Sequence, residues 1–183
     1  MDQNVTEELV DLVDDSGRAI LRRVPRSEVK RRRLELLDQG LYQPIVIVVV
    51  LDMAGHVVAQ VRGKAKGDDG AEEIDHVCGV VSAGESWESA ARREAAEEIG
   101  VELDRLALIE QRVNVYQRYR SLAVAIAVGT PEVVNPFEVS SIVRAYPHEL
   151  RDLVGRRAFV KGFFSDMDLA LAHANRADRA LFC

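Results

Sequence analysis

Cysteine is scarce in this 183-residue chain: Cys78 and Cys183 are too few for a disulfide framework. Long apolar runs are absent as well. The longest, Ile45–Leu51, falls far short of the roughly 20 residues that cross a bilayer. The opening MDQNVTEELV lacks the basic-then-apolar order of a secretory signal. There is no basic excess either: 24 Lys+Arg stand against 30 Asp+Glu, a net charge of −6, which weighs against phosphate-backbone binding. No internal repeat, low-complexity tract or interdomain linker is visible. With 48% hydrophobic and 30% charged residues, the expectation is a soluble, cytoplasmic, single-domain protein with neither nucleic-acid nor membrane partners.

Against these absences, short strand and helix patterns alternate along the chain. Glu8–Val13 alternates apolar and polar and is followed by the turn signal Asp14-Asp15-Ser16-Gly17, which predicts an edge hairpin. Ser27–Asp38 reads as one helix, with Ser27 as N-cap and Gly40 as stop, and its basic run Lys30 to Arg33 reads as a solvated face. Ile45–Leu51, continuous and β-branched, predicts a strand buried on both faces. His56–Val61 and Ile74–Val81 follow as strands, separated by a polar loop. Then come a helix over Ser86–Ile99 closed by Gly100, strands over Leu106–Tyr116 and Leu122–Val128, and a proline-bearing loop to Phe137. A short strand, a helix near Pro147–Val154 and a helix from about Ser165 complete a mixed α/β unit. Its parts are an N-terminal hairpin and helix (1–42), a core (43–160) and a C-terminal helix (161–183).

The acid is concentrated in one place. Five glutamates fall among the fourteen residues Glu85–Glu98. At 100° per residue, Trp87, Ala91, Ala95 and Ile99 form an apolar stripe. Taking Trp87 as zero, Glu94 falls at about −20° and Glu98 at about +20°, at the edge of the stripe, and Glu97 at about −80°. A solvated face would set its acids opposite the stripe; here two border the core. Partly buried carboxylates at this spacing repel unless paired with arginine or bound to a cation. Arg93 can serve some of them, and a hard divalent cation would serve the rest. An acidic surface helix with ordinary ion pairs is the alternative that this geometry leaves open.

The spacing Gly79, five residues, Glu85, seven residues, then Arg93-Glu94-Ala95-Ala96-Glu97-Glu98-Ile99-Gly100-Val101 resembles the Nudix box, G-x5-E-x7-R-E-U-x-E-E-x-G-U with U apolar. All seven fixed positions match, a coincidence expected in on the order of one chain in a million from average residue usage. The resemblance implies a Nudix α/β/α sandwich with a mixed sheet and hydrolysis of a diphosphate linked to another moiety. It implies Mg²⁺ or Mn²⁺ as cofactor on Glu94, Glu97 and Glu98, with Glu94 or a loop carboxylate orienting the attacking water. Arg93 and Glu85 would form an ion pair within the box, and Gly79 and Gly100 would permit its turns. A homodimer is common in that family, while the sequence itself leaves the oligomeric state open.

A second resemblance is wider. ELVDLVDDSGRAI, the following helix and strand, and VCGVVSAGES are similar to the Nudix subgroup related to isopentenyl-diphosphate isomerase. In the isomerases a Cys in a CGH context is catalytic; Cys78-Gly79 matches its first two positions, whereas Val80 stands where a metal-binding His is expected. Arg144 holds the place of an isomerase Trp, and the complete REUxEE set is a hydrolase feature. Cys78 therefore reads as a small buried strand residue, and a hydrolase acting on a nucleotide or nucleotide-like diphosphate as the expectation. An isomerase, or a Nudix domain that senses a ligand without catalysis, are the alternatives.

Other candidates lie outside the box. Arg62, Lys64 and Lys66 stand where they could contact substrate phosphates or simply decorate a loop. His76 reads as structural, Glu138 as a further carboxylate for the site, and Tyr116 and Tyr119 as base-stacking or sheet-packing residues.

Overall fold

The apolar run Ile45–Leu51 becomes the middle of strand β3 (Pro44–Leu51), and its two faces serve two different cores. The computed structural model describes residues 7–63, 72–114 and 116–181, with side chains as far as residue 176. Val46, Val48 and Val50 point to one side of the sheet and Ile47, Val49 and Leu51 to the other. A strand with no polar face is what a sheet covered by helices on both sides demands.

The N-terminal hairpin, β1 (Leu9–Val13) and β2 (Ala19–Pro25), forms its own two-stranded antiparallel sheet. The helix expected over Ser27–Asp38 is instead two short ones, α1 (Arg26–Arg31) and α2 (Arg33–Asp38), broken at Arg32. Pro25 takes the N-cap position, and the Ser27 hydroxyl donates to Glu7 rather than capping. Val10, Leu12, Val29, Leu36 and Leu41 then pack this unit onto Val80 of the main sheet.

The main sheet has seven strands. β3 runs antiparallel to β4 (Val57–Arg62) and parallel to β8 (Tyr119–Val128), in register from Pro44↔Tyr119 to Leu51↔Ile126. The strand expected over Ile74–Val81 is two: β5 (Ile74–Asp75) pairs with β4, and β6 (Val77–Val80) pairs with β3. The chain changes partner at His76, whose ring is buried. β7 (Glu102–Val113) starts earlier than its alternation suggests and carries two irregularities against β8. β9 (Val139–Ala145) completes the sheet beside β4.

Helix α3 (Trp87–Ile99) covers one face, burying Ala90, Ala91, Ala95 and Ile99 against Val46, Val48, Val50 and Val58. Trp87, expected in the same stripe, is only half-buried. Helices α4 (Pro147–Asp152) and α5 (Phe163–Leu181) cover the other face through Leu150, Phe163, Met167, Ala170 and Ala174. Each large aliphatic side chain so buried stabilises the fold by about 1.5–3 kcal/mol relative to exposure. Among the described residues no helix is long and apolar enough to cross a membrane.

Candidate active site

Helix α3 sits where its caps dictate. Ser86, in extended backbone, accepts a hydrogen bond from the Ser89 N–H at 3.2 Å, and Gly100 at φ +68° ends the helix in the left-handed conformation that glycine tolerates best. Between these caps the glutamates fall as their angles require. Glu98 is 2% exposed and Glu94 9%, while Glu97 lies on the exposed side.

Buried carboxylates need partners. Glu98 accepts a hydrogen bond from the Gln60 amide at 2.7 Å and from the Cys78 N–H at 3.1 Å. Glu94 accepts from Arg93 Nη1 at 2.6 Å, and Glu97 from the same nitrogen at 3.3 Å. The other edge of the guanidinium grips Glu85 through two bonds of 3.0 and 2.9 Å, and Nη2 also donates to the Val80 carbonyl at 2.8 Å. The expected Arg93–Glu85 pair is thus present and bidentate, tying the helix to the loop that precedes it. The Glu85 hydrogen bond, with help from Glu94, raises the Arg93 pKa against the pull of burial. Burial alone would push the Glu85 carboxyl up; Arg93 and the Ser82 N–H hold it below its ordinary value.

Gly79 does not serve a turn. It lies within β6, paired with Val46, and a β-carbon there would stand 1.8 Å from the carboxyl carbon of Glu94. Its role is the space it leaves. Gly100, by contrast, does make a turn.

Glu94, Glu97 and Glu98 share a recess of about 230 Å³ with Glu138, Asn135 and Val134 from the loop before β9. Glu94, Glu97 and Glu138 also line a larger cleft of about 1360 Å³. As they stand, no three His, Cys, Asp or Glu side chains among the described residues converge closely enough to hold an ion. Glu94 and Glu97 lean on Arg93, and Glu98 on Gln60 and Cys78. The donor set nevertheless fits a hard divalent cation: four carboxylates in one recess, with room for the Glu94 carboxylate kept by Gly79.

The remaining candidates separate. Arg62 lines the cleft and pairs with Asp75 at 3.0 Å; Lys64 and Lys66 lie outside the described residues. Cys78 is a strand residue but not a fully buried one as expected, for it is half-buried on the cleft wall. His76 is structural: its ring stacks on Phe163 at 4.0 Å, Nε2 lies 3.0 Å from the Phe163 carbonyl oxygen, and burial depresses its pKa. Tyr116 lines the cleft, whereas Tyr119 is buried against the β1–β2 turn. Lys30, Arg31 and Arg33 are exposed, as a solvated face requires, and Lys30 also borders the cleft. Sequence reasoning missed Gln60, whose amide ties Glu98 to the His76 carbonyl. Its signal was present: a polar residue two places from Val58, on the face of an apolar strand that meets α3.

A mixed sheet between helices, with a glutamate-bearing helix clamped to its own entry loop, defines an α/β/α sandwich of the Nudix type. The NUDIX domain family model matches residues 41–161, and the chain belongs to the Nudix family. It is 32% identical over 155 residues to an isopentenyl-diphosphate Delta-isomerase of Nocardia farcinica (strain IFM 10152), covering 78% of this chain and 81% of that one. Its fold is similar to that of DR0079 from Deinococcus radiodurans, with a TM-score of 0.65 at 21% identity over 86% of this chain and 96% of that one. It is also similar to a MutT NUDIX hydrolase from Burkholderia pseudomallei, with a TM-score of 0.55 at 19% identity over 69% and 96% of the two chains.

Proposed function

We propose that this protein is a Mg²⁺- or Mn²⁺-dependent hydrolase that cleaves a diphosphate bond in a nucleotide or nucleotide-like metabolite. The observation that carries this reading is the intact box folded around one recess, with Arg93 holding the helix and Glu94, Glu97, Glu98 and Glu138 lining the wall. Glu94, Glu97 and Glu98 would hold the metal. When bound, divalent ions neutralise the diphosphate, polarise its phosphorus and acidify a water. The chain's own residues do the positioning. Gln60 and the Cys78 N–H orient Glu98, and Arg93 fixes the pitch of the helix against Glu85. Glu138, a loop carboxylate that lines both the recess and the cleft, or Glu94 would orient the attacking water.

A second reading is favoured by one observation. The Nocardia farcinica relative carries the name of an isomerase, and Cys78 lines the cleft. Phosphate release separates the two. The first experiment is a Mg²⁺ and Mn²⁺ screen over nucleoside di- and triphosphates, nucleotide sugars, dinucleotides, coenzyme A and prenyl diphosphates. Metal-dependent phosphate release that survives Cys78→Ala supports the hydrolase. Rearrangement of a prenyl diphosphate without phosphate release, abolished by Cys78→Ala, overturns it.

A further inference from the structure

The large cleft extends past the glutamates to a second, oppositely charged wall. Arg118, just before β8, is half-buried there, and the one hydrogen bond that its guanidinium makes among the described residues goes to the Oε1 of Gln43. No described carboxylate lies within ion-pair distance of Arg118. Burial and the neighbouring charges of Arg33 and Arg26 depress its pKa, so the fold places cations together at a cost. Gln43 is 5% exposed, lines the cleft and keeps its Nε2 buried without a partner. Arg26 pairs with Glu8 at 2.5 Å through Nη1, yet its Nε is also buried without a partner. Lys30 adds a further cation to the same wall. Unfilled donors on Gln43 and Arg26, beside an Arg118 charge that no described carboxylate pairs, call for an anion rich in acceptors.

The register locates this wall relative to the glutamates. Gly79, against Glu94, pairs with Val46. Gln43 lies three residues earlier, about 10 Å back along the strand direction. Arg118, Gln43 and Arg26 line the cleft but not the recess that Glu94, Glu97 and Glu98 share. Arg26 and Lys30 also come from the N-terminal unit, outside the residues that the family model matches.

We infer that Arg118, Gln43 and Arg26 form a phosphate subsite that holds a second phosphate group of the substrate, in the same cleft as the glutamates but outside their recess. The inference rests on the hydrolase reading for what the substrate is, but not for whether the subsite binds. The substrate class it specifies is a diphosphate metabolite carrying a further phosphate monoester.

The test is isothermal titration of the full-length protein with inorganic phosphate in excess EDTA, so that no divalent ion takes part. The wild type should bind phosphate, more weakly as salt is raised. Arg118→Gln and Gln43→Leu should each weaken binding about tenfold or more, the loss expected for a charged or buried hydrogen-bond partner. Thermal unfolding checks that each variant is folded; should Arg118→Gln fail to fold, Arg26→Gln is expected to show the same loss. No metal-free phosphate binding by the wild type, or binding unchanged in folded Arg118→Gln and Gln43→Leu, overturns the subsite. Hydrolysis with no metal-free phosphate binding overturns the subsite alone; metal-free phosphate binding lost in Arg118→Gln, without hydrolysis of any diphosphate, supports the subsite and overturns the enzyme reading alone.

Discussion

The carboxyl carbon of Glu94 lies 1.8 Å from the point where a β-carbon on Gly79 would stand. One hydrogen in the place of a methyl group thus decides whether the carboxylate can lie against the sheet. In Gly79→Ala either Glu94 is expelled from its place or strand β6 moves away from helix α3. The expected result is a fall in kcat of about 100-fold, the cost of misplacing a catalytic group by about 1 Å. Steady-state kinetics with a thermal melt checks it. Wild-type turnover in a folded Gly79→Ala protein would show that Glu94 is not needed where it stands.

That role for Gly79 was not legible in the sequence, because the close approach joins a strand to a helix that follows it. The helix itself was legible: Ser86, the four-residue apolar spacing and Gly100 are local signals, and the fold obeys them except at Trp87, which is only half-buried. So was β3, whose unbroken apolar run needs covering on both sides. Failures came where tertiary partners override local pattern. Arg32, held by Glu28 and Glu35, marks a break that Ser27–Asp38 alone does not announce. His76 turns one apparent strand into two because β5 and β6 have different partners. The Arg118–Gln43 contact joins residues 75 apart, and no spacing rule reaches so far.

Glu98→Gln and Glu98→Ala should differ in stability while both lose activity. Glutamine keeps an oxygen to accept from Gln60 and from the Cys78 N–H; alanine leaves the Cys78 N–H and one of the two Gln60 amide hydrogens unpaired, the other still donating to the His76 carbonyl. An unsatisfied buried donor costs about 1–3 kcal/mol, so Glu98→Ala should melt well below Glu98→Gln. Both should reduce turnover by orders of magnitude, as should Glu97→Gln, whose side chain is exposed enough for the fold to be indifferent. Near-normal activity in Glu97→Gln and Glu98→Gln together would remove the metal from these residues.

Arg93→Lys tests the clamp. Lysine is a point charge and cannot reproduce the two-pronged grip on Glu85 or the added bond to Val80. A loss of about 1–3 kcal/mol is expected from the bonds left unmade. The pH dependence gives a sharper sign. Because the folded Glu85 pKa is depressed, its contribution is full above the ordinary carboxylate range and fades as pH falls through and below it. The acid side of the stability curve should therefore flatten in Arg93→Lys. An unchanged acid limb would place the stabilisation elsewhere.

Asp52 provides the same test away from the cleft, with a value attached. Its carboxylate ends β3 and the turn into β4, accepting from the backbone N–H groups of Ala54 and His56 at 2.8 and 3.0 Å. His56 Nδ1 lies 2.9 Å away, and Arg144 closes the group from β9. Burial would raise this carboxyl; the hydrogen bonds of His56 and Arg144, with that of Ala54, outweigh it and lower the pKa from 3.8 to about 2. A depressed folded pKa stabilises above the unfolded value and loses that stabilisation as pH falls through the folded one. The gap corresponds to about 2 kcal/mol, present at neutral pH and lost between about pH 4 and pH 2. Asp52→Asn removes the titrating group while keeping one acceptor oxygen, so it should be less stable at pH 7 and converge on the wild type near pH 2. Denaturant melts at both pH values read this directly, and a constant difference between the two proteins across that range would assign the acid loss to other carboxylates.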